Sequence, residues 1–346
     1  MSKYFRTFVI FLLGFGIIFA ADVKKDEKSS LEKQFPTNME DLGLQDTTSS
    51  KETKDQKKPS MGNTGYSNKD KKDKAAPIYV GAYSVDHEWN IVTDECLKIL
   101  STKKILYGSR SWGLVIAGYV SRHTNITWEG TGKKRVSDKD MVLTADAFKD
   151  PRIFNFIFDA VPKRWMYFDD FLRKEPWSFG KKVDGALQTL YYAGDREDMA
   201  DSYFPVLDAL IKDFPKVKFA VATHDLNASG TNPSGKEVKE DSEWNVRGGD
   251  FSERVIKTYY GKLPIFDMAD IVSTRADGKV CSFQKNGKTY RKMCREYCIE
   301  KGDLIHPNTT EAQARLGKGF LIMLTKMYCA DKIPKNLNTP KPEILK

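Results

Sequence analysis

The sequence predicts one α/β domain, a three-layer α/β/α sandwich built on a mainly parallel sheet of about five strands. Three observations lead there. From about residue 77 onward, apolar runs of strand length alternate with stretches of helical periodicity. The runs are apolar throughout instead of alternating with polar residues, as strands covered on both faces are. At residues 108–111 a glycine turn joins one such run directly to a helix.

Ahead of this domain, Lys3 and Arg6 precede an apolar run at residues 8–19 that ends in Ala20 and Ala21, the pattern of a secretory signal over residues 1–21. A run of about a dozen residues falls short of the ~20 that cross a bilayer, so no membrane span is expected after cleavage. Residues 22–76 are mostly Lys, Asp, Glu, Ser, Thr and Asn, with Phe35 and Tyr66 as the aromatics. That is too little apolar surface to offset the entropy of ordering, so a disordered linker is expected. The domain itself is expected over residues 77–332, with a tail at residues 333–346. The protein is thus expected to be exported, to a periplasmic, cell-surface or extracellular location.

The formal charge is +9, and losing Lys3 and Arg6 with the signal leaves +7. This modest excess suits an acidic envelope surface or a polysaccharide and does not call for nucleic acid. Five cysteines, Cys96, Cys281, Cys294, Cys298 and Cys329, allow at most two internal disulfides in an oxidising compartment. Cys281 and Cys294 bracket a segment whose Asn286-Gly287 step favours a tight hairpin, and a bridge closing that excursion is expected. Zinc is the alternative, but the clustered cysteines lack a paired C-x-x-C knuckle, so neither metal nor cofactor is expected.

Along the domain, residues 78–83 form a short apolar run and residues 94–100 a helix. Residues 103–107 form a strand and residues 112–120 a helix. A short strand is expected at residues 142–145, then helices at 153–158 and 165–172. The dense apolar stretch at residues 183–192, ending at Gly194-Asp195, is expected as a central strand. Residues 199–214 place Met199, Tyr203, Val206, Leu207, Leu210 and Ile211 on one helical face, and Pro215 ends that helix before a strand at 217–223. A helix at 251–260, a strand at 264–269 and a long helix at 310–328 complete the alternation. The Gly/Ser/Asn-rich residues 229–235 suggest a flexible excursion. Sheets of this kind place their sites in the loops beyond the carboxyl ends of the strands.

Two such loops carry chemistry. Ser111 stands between a strand and a helix, where a hydroxyl can project from the sheet and the helix N-terminus favours negative charge. His306 lies before the last helix with Asp303 three residues upstream. A carboxylate so placed can fix the imidazole tautomer while the other ring nitrogen faces a serine. His224 and Asn227, after the strand at 217–223, could contact a substrate. Trp89, Trp128, Trp177 and Trp244 could offer stacking platforms for sugars.

These residues resemble the SGNH (GDSL-like) hydrolase superfamily, whose sheet is flavodoxin-like. Its first block carries a serine after the first strand, and its last block is D-x-x-H before the final helix. The resemblance covers roughly residues 103–327. It is nearest to a branch with a G-H-Q-S-V-G-x-N-I-like first block, here Gly108-Ser109-Arg110-Ser111-Trp112-Gly113-Leu114-Val115-Ile116. A Y-G-x-x-P-x-F-D-x-A segment is matched by residues 260–269. The resemblance implies Ser111 as nucleophile, His306 as general base, Asp303 as its orienter, and small O-acyl groups as substrates. The common G-D-S reading would put serine where this chain has Arg110, which leaves Ser109 as a competing nucleophile. Asp195 stands where the family has an oxyanion donor, so backbone N–H groups of Ser111 and Gly194, or the side chains of Arg110 or Asn227, are the candidates for that role. The expected reaction is hydrolysis of an O-acylated carbohydrate or another ester. An O-acyltransferase using the same residues and a non-catalytic carbohydrate- or envelope-binding module are the alternatives.

Overall fold

The computed structural model describes residues 76–130, 146–157, 165–189, 199–232, 234–298 and 303–346. The signal, nearly all of the linker and the strand expected at 142–145 lie outside the described residues.

The central sheet has seven parallel strands instead of about five: β1 (Tyr79–Val80), β2 (Lys104–Ser109), β3 (Trp128–Gly130), β4 (Arg152–Ile157), β5 (Gly185–Gln188), β6 (Lys218–Ala222) and β9 (Ile265–Phe266). Their spatial order is β1-β9-β6-β5-β2-β4-β3. The inner five, β4-β2-β5-β6-β9, follow the 2-1-3-4-5 order of doubly wound sheets, with the two short strands β3 and β1 added at the edges. After β2 the chain first adds strands on one side and then returns to add β5 on the other. The carboxyl end of β2 is therefore the topological switch point, where crevices form.

The helix expected at residues 153–158 is not found: residues 153–157 belong to β4, and residue 158 lies outside the described residues. Ile153, Phe154, Phe156 and Ile157 are all buried, and so apolar a run carries no polar face from which to read a period. The strand expected at 183–192 is confined, among the described residues, to β5. The one expected at 264–269 is only Ile265–Phe266, because Asp267 caps a helix that starts at Met268.

Two helical layers cover the sheet. One comprises α1 (Ala82–His87), α2 (Asp94–Leu100), α3 (Ser111–His123), α7 (Met268–Ser273) and α8 (Thr310–Tyr328), with α8 packed against the other four. The other comprises α4 (Trp165–Arg173), α5 (Met199–Asp213) and α6 (Glu243–Tyr259). Thr93, Ser242 and Thr309 cap α2, α6 and α8 by accepting backbone N–H bonds. In α5 the buried face is Ala200, Tyr203, Phe204, Leu207 and Leu210, close to the stripe read from the sequence.

Two small antiparallel hairpins lie outside the sheet. Residues 229–235, expected as a flexible excursion, supply β7 (Gly230–Thr231), which pairs with β8 (Glu237–Val238). Strands β10 (Ser282–Lys285) and β11 (Lys288–Arg291) turn at Asn286-Gly287, where both residues have positive φ (51° and 75°). A disulfide between Cys281 and Cys294 closes this hairpin, as the spacing suggested. The final segment, read as a tail, packs on the domain: Thr339 binds Lys326 of α8 at 2.8 Å and also contacts Glu88.

Phe320 of α8 ties the core together, its ring 5.3 Å from Tyr107, 5.7 Å from Trp128 and 5.9 Å from Phe266. Replacing it with alanine should lower unfolding stability by ~3–5 kcal/mol in urea titrations, since it opens a cavity shared by β2, β3 and β9.

Candidate active site

Ser111 reaches its place because β2 passes into α3 through a single residue. Gly108 and Ser109, expected in the turn, belong to the strand, and Arg110 alone, in extended conformation, precedes the helix. The carbonyl of Arg110 accepts the Gly113 N–H at 2.9 Å, closing the first helical turn. Beneath that turn the fully buried Ser109 hydroxyl donates to Asn155 Oδ1 on β4 at 2.6 Å. Gly113 sits directly over Ser109, and a β-carbon there would stand 1.8 Å from its Oγ. Ser109 is thereby committed to the strand–helix junction, and Ser111, one residue beyond Arg110, is left half-buried at the helix start.

The Ser111 hydroxyl lies 2.7 Å from His306 Nε2. The other ring nitrogen, Nδ1, faces Asp303 Oδ2 in a close hydrogen bond. Asp303 uses its second oxygen to accept the Ile305 N–H at 2.8 Å, which curls the D-x-x-H segment into one tight loop. Two contacts moor that loop. Trp112 Nε1 donates to the Ile305 carbonyl at 3.2 Å, and the Ala228 N–H donates to the Leu304 carbonyl at 2.8 Å. The residue after the candidate nucleophile therefore holds the loop that carries the imidazole.

Burial pushes the Asp303 carboxyl upward, but its hydrogen bond from His306, the nearby imidazole charge and the N–H groups of Ile305 and His306 outweigh that and hold it below the ordinary carboxylate range. Cys298 is displaced the other way: burial first, and then the Asp303 charge, push its thiol up to about 12, so it is an inert neighbour.

His224 is fully buried between Trp244 and Phe251, with Nδ1 against the Asp225 carbonyl, and so has no surface to offer a substrate. Asn227 is buried too. Its N–H donates to Asn245 Oδ1 at 2.8 Å, while its carbonyl accepts from Asn245 Nδ2 at 3.1 Å and from the Met293 N–H at 3.1 Å. Asn227 precedes Ala228, whose N–H holds the His306 loop. Arg110 is buried and contributes its backbone as the helix cap. Gly194 and Asp195 lie outside the described residues. Trp128 and Trp177 are half-buried and pack edge-to-face against Tyr107 and Phe171 of the core. The three clustered sulfurs offer no zinc site, because Cys281 and Cys294 are joined to each other.

Reading the sequence alone missed Asn155, Trp112 and Asn245. Asn155 left a signal, as the one polar residue within the apolar run at 153–158. The other two act through backbone carbonyls, which residue patterns do not reveal. No family model matches the chain, and neither does any curated protein.

Two outcomes follow from this geometry. Gly113→Ala should cost ~1–3 kcal/mol by forcing α3 off β2, and Ser109→Gly in the same background should recover part of it, as read by urea denaturation. For Asp303 the folded-state proton affinity lies below the unfolded one. Its contribution to stability is therefore complete above the unfolded value and is lost as pH falls through the folded value. Urea melts of Asp303→Asn across the acid range should show a shallower fall in stability than the parent protein.

Proposed function

We propose that the protein is an exported serine ester hydrolase of the SGNH type, which removes small O-acyl groups, acetyl foremost, from carbohydrate or envelope material. The observation that carries this reading is the chain of contacts Ser111–His306–Asp303, with the serine oxygen 2.7 Å from the imidazole. Near-complete burial of the imidazole, a tight supporting loop and a switch-point location favour chemistry over chance. A fold kept only for binding has no need to hold that pair in reach.

In this mechanism His306 Nε2 accepts the Ser111 proton as Oγ attacks the ester carbonyl. Asp303, its carboxyl held below the ordinary carboxylate range, fixes the tautomer and stabilises the imidazolium that forms. Negative charge developing on the carbonyl oxygen would fall at the start of α3. Arg110 places no side-chain cap there, and the N–H groups of Ser111 and Trp112 begin the helix. The imidazolium then gives its proton to the departing alcohol. Water, deprotonated by the same ring, releases the acid from the acyl-serine.

Support for export is the disulfide at Cys281–Cys294, a bond that persists in oxidising compartments. Among the described residues no helix is long and apolar enough to cross a membrane. The acyl and carbohydrate classes follow from the family resemblance and the positive charge.

The test is hydrolysis of a short-chain aryl acetate by the purified protein. Ser111→Ala and His306→Ala should each lower kcat/KM by at least ~10³-fold. Asp303→Asn should cost on the order of 10⁴-fold in kcat. Ser109→Ala should keep turnover if the protein stays folded. A folded wild type no faster than His306→Ala, on aryl acetates and on acetylated glycans alike, would remove the esterase reading.

A further inference from the structure

Three thiols remain outside the Cys281–Cys294 bond, and two of them meet. Cys96 lies in the first turn of α2, where its N–H is held by the Thr93 cap, and Cys329 is the C-cap residue of α8. Both are almost fully buried, at 1% and 0% exposure. The two thiols are neighbours across the packed ends of the two helices. An ion pair clamps the same junction: Lys332 Nζ, three residues past Cys329, pairs at 2.7 Å with Oε1 of Glu95, the residue before Cys96. Neighbouring buried cysteines on two docked helices are the arrangement from which a disulfide can close. The third thiol, Cys298, donates to the Arg295 carbonyl at 3.2 Å.

We propose that Cys96 and Cys329 form a second disulfide when the chain folds in an oxidising environment. The bond would join the helix that leads into the Ser111 strand to the helix that leaves the His306 loop. The oxidant is a disulfide, either a small-molecule one or that of an oxidoreductase. One cysteine thiolate attacks it, releasing a thiol and leaving a mixed disulfide. The second cysteine thiolate displaces the remaining oxidant sulfur. Two S–H bonds are lost and one S–S bond forms, while the oxidant takes up both protons and both electrons as two thiols.

The timing follows from burial. Desolvation, and then the Cys96 thiol beside it, push Cys329 up to about 12 in the folded protein, so little thiolate exists once α8 is docked. The bond therefore forms while the chain is still open, or in the brief openings of the α2–α8 junction.

The experiment folds the full chain in a mixture of reduced and oxidised glutathione, then denatures it without reduction, alkylates it and maps its peptides by mass spectrometry. The sample used is one in which Cys281–Cys294 has formed. The expected result is a single alkylated cysteine, Cys298, in place of the three thiols, together with a peptide cross-linked between Cys96 and Cys329. Alkylation of Cys96 and Cys329, or a cross-link from either to Cys298, would overturn the proposal. A second measurement does not depend on mapping. Cys96→Ser, Cys329→Ser and the double variant should lower the Tm of the oxidised protein by the same amount. Losses that add in the double variant would mean two separate packing defects and no bond.

Discussion

The seat of Gly113 on Ser109 is the constraint on which the candidate site depends. Only a residue without a side chain lets α3 come so close to the end of β2, and only a hydroxyl already bonded to Asn155 offers α3 a satisfied polar surface to rest on. With a larger residue at either position the helix would lift, and Ser111 at its first position would move with it. The seat also explains why the two serines differ. The earlier one, inside the strand, has no freedom to serve chemistry, while the later one begins a helix at the switch point of the sheet.

From that seat, rigidity passes to the His306 loop. Trp112 follows Ser111, is almost fully buried, and donates to Ile305, so the serine hydroxyl and the imidazole share a frame that does not rely on their own hydrogen bond. The opposite side of the D-x-x-H loop leans on Ala228, whose segment is held by Asn245 and by Met293. Met293 precedes Cys294, so the disulfide-closed hairpin, which is outside the central sheet, buttresses the segment on which the His306 loop leans. Catalytic geometry needs this kind of support, since sub-ångström misplacement of a base costs rate even when the residues are all present.

Much of this was legible in the sequence, for reasons that differ by element. Helices α2 and α8 were read with their bounds because Thr93 and Thr309 begin them and their apolar residues recur at helical spacing. The disulfide and the Asn286-Gly287 turn were legible because turn chemistry is local. Strand β4 was misread because a strand buried on both faces is apolar at nearly every position, with Asn155 alone interrupting Ile153 to Ile157, and only its partners β2 and β3 settle its conformation. The edge strands were missed because Tyr79–Val80 and Trp128–Gly130 are too short to carry a pattern. His224 looked like a site residue because a histidine after a strand is suggestive, and whether Trp244 and Phe251 enclose it depends on a helix arriving from residue 243 onward.

The segment at residues 260–269, which figured in the family resemblance, makes a different point. Its Asp267 is buried, and burial, with the charge of Asp270 next, raises its affinity for a proton, features often associated with catalysis. Yet each of its oxygens already has a partner within the fold. Oδ2 accepts from Tyr79 at 2.6 Å. Oδ1 accepts from Thr223 at 2.9 Å and from the Asp270 N–H at 3.0 Å. Tyr79 belongs to β1, Thr223 follows β6 and Asp267 follows β9, so one carboxyl group knots together the carboxyl ends of three adjacent strands while capping α7. Asp270 extends the knot to the Ala82 N–H and to Arg291 of the disulfide-closed hairpin. A perturbed buried carboxyl that is fully occupied in this way is a structural fastener. Asp303, by contrast, sits beside a histidine whose far nitrogen points at a serine at the helix start. What separates the two aspartates is where the chain of hydrogen bonds ends: the first closes on the fold, and the second ends on the half-buried hydroxyl of Ser111.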